Sequence, residues 1–217
     1  MQFETQSGPL SFSCTRLVVA GWTGRDTAAV AHHIEELAAI GVPPPSTTPL
    51  YYRVSADLLT QATELQVLGP DSSGEAEPLL IQHDGALWLG LGSDHTDRAL
   101  EATSVAASKQ VCPKPVATAL WQFDEVADRL DDLTLESWIE ESGTWVPYQS
   151  GTLAAIRPLL ELMDGAPMSD NTAMLCGTLG AIGGVRPAVK FKARLGDPHS
   201  GREIMFDYTA HPLPIIA

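Results

Sequence analysis

The chain has 217 residues, 44% hydrophobic and 18% charged, a globular composition with enough apolar material for a sizeable core. A formal net charge of −14 and a pI near 4.6 argue against a nucleic-acid partner, whose affinity rests on neutralised phosphates, and against an anionic membrane surface. A small anionic substrate stays open, because it needs only a local cationic pocket. Cys14, Cys112 and Cys176 are odd in number and far apart, which gives neither a disulfide framework nor a zinc-ligand spacing. The start of the sequence lacks the basic-then-apolar pattern of a signal peptide. No run of about 18 apolar residues is present, so a cytoplasmic location is expected.

Residues 1–20 read as strands, with Leu17-Val18-Val19-Ala20 as an apolar run. Asp26 or Thr27 caps a helix predicted over 27–40, which Gly41 and Pro43 end. Its stripe is Val30, Ile34, Leu37 and Ala38. His33 borders the stripe, with Glu36 one turn on, a spacing that suits either an oriented acid–base pair or ordinary charge pairing on a surface helix. His32 and Glu35 repeat the spacing one residue earlier. A stiff Pro43-Pro44-Pro45 connector leads to a strand at Leu50–Val54, where Arg53 is either directed into a site or a surface residue. Another strand is predicted at Leu65–Gly69.

Asp84-Gly85 lies between the apolar runs Pro78–Ile81 and Leu87–Leu91. Such a dipeptide favours a two-residue turn with positive φ at both positions. With that turn at the tip, His83 pairs with Ala86, Glu77 with Gly92 and Glu75 with Asp94. The period of two puts Glu75, Glu77 and Asp94 on one face, with Gly90 and Gly92 leaving space beside them. Three carboxylates on one patch repel, so either they reach water or a hard divalent cation such as Mg²⁺, Mn²⁺ or Ca²⁺ neutralises them. A helix is predicted from about Thr96, placing Arg98, Ala102, Val105 and Lys109 on one side. Its two cations either flank the acids and hold a substrate carboxylate or are solvated. Cys112 reads as a small packed thiol or, near Lys109, as a reactive one. Short helices are predicted over 124–131 and 152–163, and strands at Thr134–Ile139 and Met174–Cys176. Gly177-Thr178 follows as a loop that presents N–H and hydroxyl groups to an anion, or as a simple turn. A closing hairpin joins Phe191–Leu195 to Glu203–Tyr208. Without a repeat, low-complexity segment or flexible linker, one domain over 1–217 is expected.

The order of these features resembles the fumarylacetoacetate hydrolase superfamily: His-x-x-Glu near the start, Glu-x-Glu before an apolar strand, Asp followed four residues later by Arg, then Lys, then Gly-Thr. The nearest likeness is to a divergent, uncharacterised bacterial branch carrying Gly-Ser-Asp-His-Thr-Asp-Arg and Ser-Lys-Gln-x-Cys-Pro-Lys-Pro, and it spans roughly 20–210. The resemblance implies an α+β fold, a mixed and mostly antiparallel β-roll or β-sandwich with a few peripheral helices. It also implies a Mg²⁺ or Mn²⁺ site, usually in a homodimer. Residue by residue, it makes Glu75, Glu77 and Asp94 the metal ligands and His33–Glu36 the water-activating dyad, with His32–Glu35 as a one-residue slip. It gives Lys109, Arg98, Gly177 and Thr178 to the substrate's oxo-acid group. Arg53 is a further candidate for contact with the substrate. The sequence departs from the family's pattern at Ser93 (usually Asn), Cys112 (usually Asp) and Leu179 (commonly Pro), and the spacers around Asp94 are shorter.

The expected function is therefore a divalent-metal-dependent hydrolase acting on a small 2-oxo or 1,3-dicarbonyl acid of the acylpyruvate kind. A decarboxylase, hydratase or tautomerase on the same site is the near alternative. A non-catalytic metal- or ligand-binding protein is the alternative from another class.

Overall fold

The computed structural model describes residues 1–39 and 44–216; the side chains of His33, Glu36, Leu37 and Ala39 lie outside the described residues. Two sheets carry the architecture. The first has six strands in the order Trp121–Gln122, Ala86–Ser93, Ala76–His83, Thr172–Leu175, Arg16–Gly21, Leu50–Val54. All neighbours run antiparallel except Thr172–Leu175 beside Arg16–Gly21. The second has five strands in the order Thr144–Thr152, Thr134–Glu141, Lys190–Asp197, Arg202–Leu213, Glu64–Leu68, antiparallel but for the last pair. The mixed, mostly antiparallel α+β fold expected from the sequence is the one observed.

The residue patterns explain the layering. Thr134–Glu141 and Lys190–Asp197 alternate between buried and part-exposed positions, so the five-stranded sheet shows one face to the core and one to solvent. The six-stranded sheet has apolar residues on both faces. Val18, Leu80, Leu89 and Met174 pack toward the five-stranded sheet against Leu135, Phe191 and Leu195. Leu17, Val19, Leu79, Ile81 and Leu175 pack on the opposite side with Phe3, Phe12 and Leu120. Burial on both faces is why these strands read as unbroken apolar runs.

The helix Thr27–Ala39 is present, and Asp26 caps it by accepting from the amides of Ala28 and Ala29 at 3.0 and 3.1 Å. Three helix expectations are corrected. The predicted 96–109 helix is two short ones, Arg98–Glu101 and Val105–Gln110, because Ser104 caps a new start by accepting from the Ala107 amide at 3.3 Å. The 152–163 helix is a 3-10 turn at Leu153–Ala155 followed by Leu159–Gly165; Pro158 between them cannot continue a helix. Residues 124–131 contain parts of two 3-10 turns, Phe123–Glu125 and Leu130–Asp132, in place of one helix. Among the described residues, no helix is long and apolar enough to cross a membrane.

Candidate metal centre

The hairpin register is the one the Asp-Gly dipeptide dictates. Asp84 and Gly85 have φ of 49° and 73°, His83 pairs with Ala86, and Glu77 pairs with Gly92. The Asp94 amide donates to the Glu75 carbonyl at 3.0 Å, so the ladder extends one residue further. Glu75, Glu77 and Asp94 converge, each offering an oxygen within 4.8 Å of the others. Glu77 and Asp94 are buried, and the Glu75 side chain retains 16% exposure.

Gly90 and Gly92 do not leave space beside the acids. A Cβ on Gly90 would lie 2.6 Å from Leu120, and one on Gly92 would lie 2.7 Å from Leu175. The gap they open is filled by the apolar core.

Three cations surround the carboxylates. Asp94 Oδ2 is bonded to the Lys109 ammonium. Lys114 Nζ, fully buried, lies 3.1 Å from Asp94 Oδ1. It donates to the carbonyls of His95 and Lys109 at 2.6 Å each and of Cys112 at 3.1 Å. Those three bonds use all the protons of an ammonium group. Asp94 Oδ1 is therefore buried beside the Lys114 charge without a well-directed hydrogen-bond donor. Arg98 Nη1 sits 3.3 Å from Glu75 Oε1 and 2.9 Å from Glu101 Oε2, while its Nε donates to Ser73 Oγ at 2.8 Å. Arg98 and Lys109 thus both reach the acids, as the sequence spacing suggested, but from two separate helices.

These charges set the protonation of the site. Burial would raise the Asp94 carboxyl, yet Lys109 and Lys114 hold it well below the usual carboxylate range. Burial would lower Lys109, yet Asp94, with Glu75 and Glu101 beyond it, holds it above the usual lysine value. Glu77 is pushed far up, first by burial, then by Asp94 and Glu75. Burial also raises Glu75, against the pull of Arg98 and Lys109. A buried acid whose carboxyl is pushed up beside two other carboxylates, with an orphaned oxygen among them, is a donor set that a bound cation would relieve. Hard oxygen donors in such a cluster fit Mg²⁺ or Mn²⁺. The three ligands expected from the sequence would hold the ion.

The other expected residues take varied positions. The Gly177 amide donates to Glu77 Oε2 at 2.8 Å, and the Thr178 hydroxyl donates to the Ala76 carbonyl at 2.7 Å. The anion this loop cradles is Glu77 itself. Gly177 has φ of 93°, and a Cβ there would lie 1.7 Å from Thr23 Oγ1, so the tight cradle needs glycine. Arg53 points away from the site. It is opposite Val18, on the face that packs toward the five-stranded sheet, whereas its neighbour Tyr52 is opposite Val19 on the Glu77 face. Tyr52 lays its ring 5.7 Å from the Lys109 ammonium. The His33 and Glu36 side chains lie outside the described residues; His32 and Glu35 are exposed on the helix. Cys112 is buried with its thiol pushed up to about 11 by desolvation, so it is a packed thiol and not a nucleophile.

Sequence reading missed the support behind the acids. Ser93 Oγ accepts the Glu75 amide at 3.1 Å and meets Tyr208 Oη at 3.0 Å. Tyr208 Oη meets His95 Nδ1 at 2.9 Å, and His95 Nε2 meets Ser72 Oγ at 2.9 Å. Gln149 clamps the two arms of the site, accepting from the Ala76 amide at 2.9 Å and donating to the Leu179 carbonyl at 2.7 Å. His83, Asp84 and Asp170 form a second group of possible ligands at the hairpin tip, but both acids are exposed there and His83 Nδ1 is bonded to Asn171 Oδ1 at 2.7 Å.

Burial and the nearby charges of Lys114 and Arg98 lower His95 to about 3. An unfolded histidine titrates near 6.5. Its folded value is depressed, so its stabilising effect is complete above about pH 6.5 and is lost as pH falls toward about 3. At pH 5 the loss is about 2 kcal/mol, since each pKa unit is about 1.4 kcal/mol. Urea unfolding of the parent and of His95→Gln at pH 8 and pH 5, both in chelator, measures it. The parent is expected to lose about 2 kcal/mol more than the variant. The difference cancels the opposite effect of the raised Glu75 and Glu77 carboxyls.

Residues 20–208 match the family described as "Protein of unknown function (DUF2848)", and the chain belongs to that family. No curated protein matches it. Solved structures of similar fold include Cg1458 with inhibitor, at TM-score 0.65 and 11% identity over 92% of this chain and 78% of that one. 2-Keto-3-deoxy-D-arabinonate dehydratase complexed with magnesium and 2,5-dioxopentanoate aligns at TM-score 0.61 and 13% identity, over 91% and 74%. 5-Carboxymethyl-2-hydroxymuconate delta-isomerase from Mycobacterium smegmatis aligns at 0.58 and 14%, over 92% and 80%. At such identities the likeness is one of fold.

Proposed function

We propose that this chain is a divalent-metal-dependent enzyme that hydrolyses a small 2-oxo or 1,3-dicarbonyl acid. The observation that carries the reading is the convergence of Glu75, Glu77 and Asp94 around a buried, undonated Asp94 oxygen. A bound divalent cation would supply a Lewis acid for the oxo group. Lys109, held charged by Asp94, adds fixed positive potential where enolate charge develops and does not act as a base. His33, oriented by Glu36, is the proposed general base that takes a proton from water. Glu77, fixed by the Gly177 amide, keeps its carboxylate aimed at the ion site. The reading includes a single domain and a homodimeric assembly.

A dehydratase or isomerase on the same site is the second reading. It is favoured by the fold neighbours, one a dehydratase complexed with magnesium and 2,5-dioxopentanoate and another a delta-isomerase. Assay of the Mg²⁺- or Mn²⁺-loaded parent and His33→Ala for hydrolysis of an acylpyruvate, dehydration of 2-keto-3-deoxy-D-arabinonate and decarboxylation of oxaloacetate separates the two, since only the second reading expects dehydration by the parent without acylpyruvate hydrolysis. Under the hydrolase reading, His33→Ala loses about 10²-fold or more of acylpyruvate hydrolysis, the usual weight of a general base, while any oxaloacetate decarboxylation persists. Full hydrolysis by His33→Ala would reject the dyad. Equal turnover by Glu75→Ala and the parent would reject the metal-centred reading.

A further inference from the structure

One cavity of about 230 Å³ lies beside the acidic cluster, walled by Pro44, Leu50, Tyr52, Glu101, Thr103 and Val105, with Pro45, Ser46 and Ser104 completing it. Two of its walls belong to the site's next layer. The Tyr52 ring covers the Lys109 ammonium at 5.7 Å. Glu101 is held by Arg98 at 2.9 Å, and the same Arg98 nitrogen is 3.3 Å from Glu75. Tyr52 and Glu101 are thus shared between the cavity wall and the cations that flank Glu75.

The charge of the lining is one-sided. Among the described residues, Glu101 is its single ionisable acid, and no lysine, arginine or histidine lines it. Arg98 already answers two carboxylates and Ser73. A second carboxylate on the substrate would add a negative charge beside Glu101 and Glu75, which already share Arg98 as their counter-cation, in a protein of net charge −14. Like-charge juxtaposition of this kind disfavours binding. The prolines, Leu50, Val105 and the Tyr52 ring offer apolar contact, and Ser46 and Thr103 offer hydroxyls.

Resting on the oxo-acid reading above, we infer that the substrate is a monocarboxylic 2-oxo acid whose remote end is uncharged, a short alkyl or hydroxyalkyl group, and that Glu101 excludes dicarboxylic acids. Calorimetric titration of the Mg²⁺-loaded parent with 2-oxohexanoate and 2-oxoadipate, matched in chain length, tests this. The parent is expected to bind 2-oxohexanoate about ten-fold or more tightly than 2-oxoadipate, the size of one unpaired charge. Val105→Arg sets a cation on the same wall, and Glu101→Gln frees Arg98. Each is expected to narrow the preference at least several-fold through tighter 2-oxoadipate binding. Binding of both acids without preference, or of 2-oxoadipate more tightly, overturns the inference and leaves the oxo-acid reading standing. An unchanged ratio in both variants overturns the role of Glu101 and of this cavity. Binding of neither acid, when Mg²⁺ itself binds, overturns the inference together with the reading it rests on.

Discussion

Glu77→Gln is expected to leave the metal-free protein as stable as the parent, or more stable, while abolishing stabilisation by Mg²⁺ or Mn²⁺. Glu77 is buried, and its carboxyl is driven toward the protonated form by desolvation and by Asp94 and Glu75. Glutamine has nearly the shape of that protonated acid. Its amide oxygen still accepts from the Gly177 amide, now 2.8 Å from Glu77 Oε2. In chelator, the substitution therefore keeps the Gly177 hydrogen bond and puts a permanently neutral group where Asp94 and Glu75 oppose a charge. The metal-loaded state behaves differently, because an amide is a weaker ligand than a carboxylate for a hard cation. An ion that binds only the folded chain, at about a hundred times its dissociation constant, adds about 2.7 kcal/mol. For a chain of this size that raises Tm by roughly 5–10 °C. Thermal unfolding of parent and variant, in chelator and in millimolar Mg²⁺ or Mn²⁺, gives four midpoints. The expected pattern is a rise for the parent and none for Glu77→Gln. An equal rise in both would mean that the cluster is not the metal centre.

What the sequence disclosed of this site is what local rules govern. The Asp84-Gly85 turn fixes register by its φ requirement, and register alone carries Glu75, Glu77 and Asp94 to one face. The fold class followed from motif order, and the core strands from their apolar runs. The losses come from long-range packing. Tyr208 and Gln149 reach the site from segments that no short-range pattern links, and His95 and Lys114, though they lie in the quoted motifs, take roles set by the folded chain's contacts with Tyr208, Ser72 and Asp94. Gly90 and Gly92 read as space beside the acids, yet Leu120 and Leu175 occupy that space from distant parts of the chain. The side of the Leu50–Val54 strand on which Arg53 lies is set by its pairing with Arg16–Gly21, and an isolated Leu-Tyr-Tyr-Arg-Val run does not define it. Even the partly correct 96–109 helix failed at a cap. Ser104 restarts the helix, and the two cations arrive on separate pieces.

Asp94→Asn is expected to be the most destabilising single change at the site, with an unequal effect on its two lysines. Removing one member of a buried ion pair costs about 3–5 kcal/mol, because the other charge is left uncompensated. Tm is then expected to fall by roughly 10 °C or more. Lys114 has its three protons on carbonyls and retains them when Asp94 is neutral. Among the described contacts, Lys109 has its hydrogen bond to Asp94 and a place over the Tyr52 ring. The penalty therefore concentrates on Lys109. Adding Lys109→Met to Asp94→Asn removes the stranded charge and is expected to restore about 2 kcal/mol or more, a coupling within the range for residues in direct contact. Adding Lys114→Met strips three buried carbonyls of their donor and is expected to destabilise further. Denaturant unfolding of the two double variants, in chelator, decides the matter. Rescue by Lys114→Met and not by Lys109→Met would show that Lys114 is the principal counter-ion of Asp94, and would reverse the division of roles drawn from their hydrogen bonds.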